Sequence, residues 1–286
     1  MKYGFIAAHE SEYRVKEMCQ VLKVTRSGYY AWRSRPVCQG EQANQKLLEE
    51  IRAVFETSHQ TYGSLRVHAH LRRQGVVCGH NRVARLMRAY GLIARRRHKR
   101  HPITTRQQPG AIPAPNLLQR DFSAQQPNQK WVSDITYIET AEGWLYLASV
   151  VDLFSRKVVG WAMSEQIDSS LATDALRMAW VTRRPLKQLV HHSDRGRQFT
   201  SAAYQLILTR MGCQVSMSRS GDCYDNAAME SFFATLKVEC ATHPFASRAD
   251  ARRSIFAYIE GWYNRHRLHS SLDYNSPSDF EQLSGH

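Results

Sequence analysis

The segment Lys130-Trp131-Val132-Ser133-Asp134-Ile135-Thr136-Tyr137-Ile138 constrains the fold more than any other part of the chain. β-Branched and aromatic residues dominate it and predict a strand, yet an aspartate stands in its middle. A carboxylate in that setting must be paired or bound to a cation, because burying an isolated charge is expensive. Residues 144–152 and 157–163 repeat the composition after the turn-like pairs Glu142-Gly143 and Ser155-Arg156, so a three-stranded meander is predicted. Beyond it the pattern alternates, with a helix over 169–182, a strand over 186–191, a helix over 201–211, a strand over 213–217 and a helix over 225–240. Such alternation implies an α/β layer with parallel pairing after the meander. A long amphipathic helix is predicted from about residue 248 to 265.

The charge is distributed unevenly. Residues 1–125 hold 22 Lys and Arg against 8 Asp and Glu, whereas residues 126–286 hold 17 of each, so the first part carries the whole net charge of +14. A basic half joined to a neutral half suggests that the first handles a polyanion while the second does something that needs carboxylates. No apolar run approaches the ~18–20 residues of a membrane span, and the first ten residues lack a signal-peptide layout, so a cytoplasmic protein is expected. Cys19, Cys38, Cys78, Cys213, Cys223 and Cys240 are irregularly spaced with no C-x-x-C, which fits reduced thiols.

In the basic half, Val15, Cys19 and Leu22 repeat at helical spacing, followed by Ser27-Gly28 and the aromatic cluster Tyr29-Tyr30-Ala31-Trp32. This predicts a small helical, helix-turn-helix-like unit over residues 1–36. A second such unit, over 37–93, places Leu47, Leu48, Ile51, Val54 and Phe55 on one helical face, continues through 63–73, turns at Gln74-Gly75 and restarts with Asn81 as N-cap. On its last helix Val83, Leu86, Met87 and Tyr90 form the packing side, and Arg82, Arg85 and Arg88 fall within a ~120° arc opposite, available to DNA or simply solvated. A zinc site from His68, His70, Cys78 and His80 is a rival reading, but His68 and His70 point apart on a helix and the spacing matches no common finger. Residues 94–127 read as a basic, Pro-rich linker in which Arg95, Arg96, Arg97, Lys99 and Arg100 could follow a phosphate backbone.

Two more acids complete a pattern in the neutral half, residues 128–286. Asp194 follows a buried-looking strand in His191-His192-Ser193-Asp194-Arg195-Gly196, and Glu230 lies on a helix in Asp225-Asn226-Ala227-Ala228-Met229-Glu230-Ser231. Two or three carboxylates converging from separate elements could hold a hard divalent ion for phosphate chemistry. Taken singly, Asp194 could equally cap or face solvent, and Glu230 could be a solvated helical residue.

These segments carry a family resemblance. Trp131-Val132-Ser133-Asp134-Ile135-Thr136-Tyr137, His192-Ser193-Asp194-Arg195-Gly196 and Asp225-Asn226-Ala227-Ala228-Met229-Glu230-Ser231-Phe232-Phe233 carry it, with Leu236-Lys237-Val238-Glu239 and Tyr263-Asn264-Arg265-His266-Arg267-Leu268-His269-Ser270-Ser271-Leu272. So do Ser27-Gly28-Tyr29-Tyr30-Ala31-Trp32 and Tyr62-Gly63-Ser64-Leu65-Arg66. The chain resembles the transposase encoded by the second reading frame of frameshifting bacterial insertion sequences, in the retroviral-integrase superfamily. Thirty-five residues separate Asp194 from Glu230, the spacing of that family's aspartate and glutamate. Arg197 and Phe199 depart from the Ser and Tyr usual after Asp-Arg-Gly.

The resemblance implies a ribonuclease H-like α/β core preceded by helix-turn-helix units, and an enzyme that cleaves and joins DNA strands at the ends of an insertion sequence. Asp134, Asp194 and Glu230 would hold two Mg²⁺ ions, with Mn²⁺ as a substitute, and Lys237 and Arg195 would contact DNA near them. The Arg265, His266, Arg267 and His269 cluster could bind phosphate or be a solvated helix end. Implied partners are duplex DNA (the element's terminal inverted repeats and its target), further copies of the chain on DNA, and a first-reading-frame product or frameshift fusion. A metal-dependent nuclease, or a DNA-binding regulator with an inactive core, would share parts of this sequence pattern; the long basic helical half argues against the first and three intact acids against the second.

Overall fold

A computed structural model describes residues 2–35, 38–95, 114–185, 188–219 and 223–285. The chain divides into two compact units, Met1–Glu50 and Ile51–His286. In the first, helices α1 (Lys2–Ala8), α2 (Val15–Val21) and α3 (Arg26–Arg33) enclose a small core of Ile6, Met18, Cys19 and Tyr29. Thr25 starts α3 by accepting the Gly28 N–H at 3.1 Å. A Cβ at Gly28 would come within 2.5 Å of the Tyr3 hydroxyl and 2.8 Å of Thr25 Oγ1, so a side chain there would have to displace these side-chain ends.

Helix α4 (Gln39–Thr57) runs from the first unit into the second, and its predicted apolar face, Leu47, Leu48, Ile51, Val54 and Phe55, is buried. Helices α5 (Ser64–Arg73) and α6 (His80–Ala89) follow, turning at Gly75, whose φ of +83° suits only glycine well. Two details differ from the sequence reading. Helix α6 begins at His80 after the N-cap Gly79, two residues earlier than an Asn81 cap allows, and His80 Nε2 lies 3.1 Å from Ser64 Oγ. Tyr90 is exposed, with the Arg52 guanidinium 5.5 Å from its ring, so only Val83, Leu86 and Met87 form the packing face.

The part of the chain after the linker is built on a five-stranded mixed sheet. Strands β1 (Lys130–Thr140), β2 (Gly143–Asp152) and β3 (Val158–Ser164) form the expected antiparallel meander. Helix α7 (Ser169–Arg183), capped by Asp168, leads to β4 (Val190–Ser193), which pairs parallel with β1. The short α8 (Arg197–Thr200) and α9 (Ala202–Arg210) lead to β5 (Gln214–Met217), parallel to β4, giving the order β3-β2-β1-β4-β5. Strand alternation sends Trp131, Ala148, Val150 and Val159 to one face, against α7 and α9. Gly160 fits there because α7 crosses close: a Cβ would lie 2.2 Å from the Ala175 carbonyl oxygen. Val132, Ile138, Leu145, Leu147 and Val151 line the other face, covered by α10 (Ala227–Glu239) and α11 (Arg248–Phe256).

The predicted single helix over 248–265 is two helices in one. After Phe256 it widens into a π-helix, Ala257–Tyr263, that buries Tyr258, Ile259 and Tyr263 together. A regular α turn spaces residues for one stripe; the wider turn changes which side chains meet the sheet. The last helix, α12 (Pro277–Leu283), was not anticipated, although Ser276 caps it and Pro277 suits its first turn. Its buried Glu281 accepts hydrogen bonds from Ser155, Lys157 and Arg183. Among the described residues, Cys19, Cys38, Cys78, Cys213 and Cys240 form no disulfide. No described helix is long and apolar enough to cross a membrane.

Candidate active site

Parallel pairing brings the two aspartates together. Ser133 of β1 lies opposite Ser193 of β4, and that pair ends their ladder, so Asp134 and Asp194 follow at the same level on neighbouring segments of the sheet. Asp194 is fixed by its own turn: its Oδ1 accepts the Gly196 N–H at 2.9 Å, and a Cβ on Gly196 would stand only 2.9 Å from that oxygen. Glu230 comes from the first turn of α10, the helix packed against β1, and is exposed. The two aspartates thus lie where the β1–β4 pairing ends, Asp134 inside β1 and Asp194 just past the carboxyl end of β4.

Asp134 reports the crowding. Burial raises its carboxyl well above the usual carboxylate range, and the charge of Asp194 and then that of Glu230 act the same way. The Ile135 N–H, 2.7 Å from its Oδ1, and the Lys237 ammonium oppose the rise. Three acids from separate elements therefore repel across one locus, and positive charge placed among them would favour their ionised forms. Their donors are all hard oxygens and partly open to solvent, which suits a divalent cation. Among the described residues no three His, Cys, Asp or Glu side chains close into a metal-holding group, so the acids converge without forming a tight cage. The same holds for His68, Cys78 and His80: the His68 Nε2 is 3.0 Å from the Cys78 carbonyl oxygen, and the His80 ring nitrogen meets Ser64.

The two histidines that precede Asp194 on β4 face opposite sides of the sheet and make buried polar contacts that the sequence did not reveal. His191 Nε2 is 2.8 Å from Ser133 Oγ and 3.1 Å from the Tyr204 hydroxyl; His192 sits 2.8 Å from Ser216 Oγ and 3.1 Å from Ser218 Oγ. Burial above all depresses both imidazoles, His191 to about 3 and His192 to about 4, so both are neutral. Arg195 Nε donates to the Ser218 carbonyl oxygen at 2.7 Å, tying the strand end to the next loop. Asp225 accepts from the Arg219 backbone N–H at 2.9 Å and from its guanidinium, which holds the carboxyl at about 2. Asn226 stands at the N-cap position of α10, but its side chain makes no cap and its Oδ1 is buried with no hydrogen-bond partner among the described residues.

The predicted DNA-contacting cations fall into several settings. Lys237 is half-buried, 4.5 Å above the Tyr137 ring centroid. Arg85 and Arg88 are exposed on α6, and Arg82 is half-buried. Arg95 is exposed and bonded to Gln60. Arg96, Arg97, Lys99 and Arg100 lie outside the described residues. One expectation needs correction: Arg267 is neither solvated nor free for phosphate. Its Nε donates to both Glu239 oxygens, at 2.9 and 3.0 Å, in an ion pair only 6% and 2% exposed. Arg265 and His266 are exposed, and His269 is half-buried.

Sequence comparisons bear on the whole chain. Residues 124–223 match the family described as integrase core domain, residues 211–277 match a second integrase core domain family, and residues 42–100 match an HTH-like domain. The transposase InsF for insertion sequence IS3A of Escherichia coli strain K12 is 46% identical over 285 residues, covering 98% of both chains. The chain belongs to the IS3-type insertion-sequence transposases. A 31 kDa protein of insertion element IS600 from Shigella sonnei is 42% identical over 266 residues, covering 93% of this chain and 97% of that one. Solved structures with similar traces include a simian T-cell lymphotropic virus intasome, with TM-score 0.46 and 14% identity, covering 81% of this chain and 74% of that one. Another is the HTLV-2 integrase catalytic core domain in complex with magnesium, with TM-score 0.42 and 16% identity, covering 56% of this chain and 99% of that one. By its family matches and its InsF relative, this transposase has a ribonuclease H-like integrase core and an HTH-like helical part, and its function is transposition by DNA integration.

Proposed function

We propose that Asp134, Asp194 and Glu230 are the catalytic carboxylates of this transposase and that they hold two Mg²⁺ ions, replaceable by Mn²⁺, at a DNA end. The observation that carries the proposal is placement: Asp134 and Asp194 directly follow the last β1–β4 pair, Ser133 with Ser193, and Glu230 stands on the first turn of α10, the helix packed against β1, with both other acids acting on Asp134. When bound, the ions would ready an attacking water or 3′-hydroxyl and stabilise the departing 3′-oxygen in an in-line displacement. The chain's own residues position the DNA. Lys237, seven residues after Glu230 and so near the same helix face, offers its ammonium to a phosphate beside the acids. Arg195 is a positioning residue, holding the Asp194 turn to the Ser218 loop. Exposed Arg85 and Arg88 on α6 engage the duplex away from the acids, with Arg82 and the basic linker from Arg95 to Arg100 adding phosphate contacts. Copies of the chain assemble on the element's terminal repeats and target, with or without a first-frame partner.

Mn²⁺ binding tests the carboxylates apart from turnover. Electron paramagnetic resonance of free Mn²⁺ in the presence of the full chain should show binding that weakens by about tenfold or more in Asp134→Asn, Asp194→Asn and Glu230→Gln, each of which removes one ligand charge. Unchanged Mn²⁺ affinity in all three variants would show that these acids hold no metal.

A further inference from the structure

Beside the acids lies an aromatic pair that strand cleavage as such does not require. Tyr137 of β1 faces Tyr146 of β2, and Glu139 faces Trp144, so Tyr137 and Trp144 are diagonal neighbours on one face of the hairpin. Their rings meet edge to face, with centroids 5.0 Å apart and planes at 79°. Tyr137 is half-buried and Trp144 is 47% exposed, so the indole offers a ring surface to solvent while its edge rests on the tyrosine. The hairpin tip is held from behind: the Arg248 backbone N–H donates to Glu142 Oε2 at 2.8 Å, and its guanidinium reaches the Trp144 carbonyl oxygen at 3.4 Å.

Lys237 joins this pair to the acids. Its Nζ lies 4.5 Å from the Tyr137 centroid and also acts electrostatically on Asp134. Strand alternation puts Asp134 and Tyr137 on opposite faces of β1, and the β1–β4 ladder stops at Ser133. Lys237 therefore reaches both around the strand edge that β4 leaves uncovered. Three residues of strand, ~10 Å, separate Asp134 from Tyr137, a span that one or two nucleotides of single strand can cover. A fixed exposed indole with a cation between it and a phosphate-handling site is the arrangement by which proteins hold unstacked bases.

We propose that Trp144, backed by Tyr137 and with Lys237 on the adjoining phosphate, is a stacking ledge for an unpaired base at the frayed end of the DNA substrate. This rests on the carboxylate site proposed above, which the ledge would serve by keeping the terminal strand apart from its complement. Stacking is indifferent to base identity, so the ledge selects frayed over flush ends rather than a sequence.

The test uses the full chain in buffer with chelator and two short duplexes, one flush and one with two unpaired 3′ nucleotides ending in 2-aminopurine. The parent should favour the frayed duplex by roughly tenfold or more and quench the 2-aminopurine, as expected for one stacked base. Trp144→Ala should bring that affinity ratio to near one and leave the probe bright, while Trp144→Phe restores most of both. A parent with no preference, or a Trp144→Ala variant that keeps both the ratio and the quenching, overturns the ledge. Asp134→Asn, measured alongside, separates the two proposals: it should keep the frayed-end preference while losing metal-supported nicking, and retained nicking would count against the carboxylates alone.

Discussion

Removing the Glu239 carboxylate should unfold this protein more readily than removing almost any exposed charge. Glu239 sits near the end of α10 and accepts from Arg267 Nε, from the Tyr258 hydroxyl at 3.0 Å, from Trp262 Nε1 at 3.3 Å and from Thr61 Oγ1 at 3.3 Å. Nearby, the Tyr62 hydroxyl accepts the Leu268 N–H at 2.7 Å. The carboxylate thus binds the α4–α5 connection, α10 and the chain that leaves the π-helix into one buried knot. Glu239→Ala leaves the guanidinium buried without its counter-charge, a change that typically costs about 3–5 kcal/mol. Glu239→Gln keeps an acceptor and should lose less, about 1.5–3 kcal/mol, the range for hydrogen bonds to a charged group. Urea unfolding followed by tryptophan fluorescence reads both. Because the partners touch, the double variant Glu239→Ala with Arg267→Ala should lose less than the two single losses added, by about 0.5–3 kcal/mol. A single-variant loss under about 1 kcal/mol, the size seen for solvent-exposed ion pairs, would refute this reasoning.

Two other outcomes follow from the same structure. His191 and His192 are held neutral at about 3 and about 4, against ~6.5 when unfolded, so below pH ~6.5 the unfolded chain takes up protons that the folded one refuses. Stability should fall from pH ~6.5 toward pH ~4 by up to about 1.4 kcal/mol per pH unit for each imidazole, and His191→Gln should flatten the slope of urea midpoint against pH. Exposed Arg85 and Arg88 should each contribute about one phosphate contact, so replacing both by Ala should reduce the slope of log affinity against log salt by about two on any duplex. An unchanged slope would place the duplex elsewhere.

The sheet and the three acids were legible in the sequence for different reasons. Strand composition and period located β1, β2 and β3 closely, and the charge inside β1 singled out Asp134 before any fold was known. Asp194 and Glu230 carried weaker local signals; the family spacing picked them out, and parallel pairing of Ser133 with Ser193 explains why Asp194 arrives beside Asp134. Arg267 misled because a cation in an Arg-His-rich run looks solvated, and nothing local announces a partner 28 residues earlier. The π-helix was hidden for a related reason: one widened turn hardly alters periodicity over so few residues. Tyr137 and Trp144 read as ordinary strand formers, since strand composition does not tell a buried ring from an exposed one.

The most direct test of the carboxylate assignment is metal-supported nicking and joining of duplexes bearing the element's ends, with every variant compared at equal DNA occupancy and supplied with the first-frame partner wherever the parent needs it. Asp134→Asn, Asp194→Asn and Glu230→Gln should each bind DNA close to parental affinity and lose both reactions by at least about a thousandfold, because each removes charge stabilisation from the transferring phosphate. Near-parental nicking by any one of them, under ions that support the parent, would contradict the assignment of that residue and with it the three-acid site.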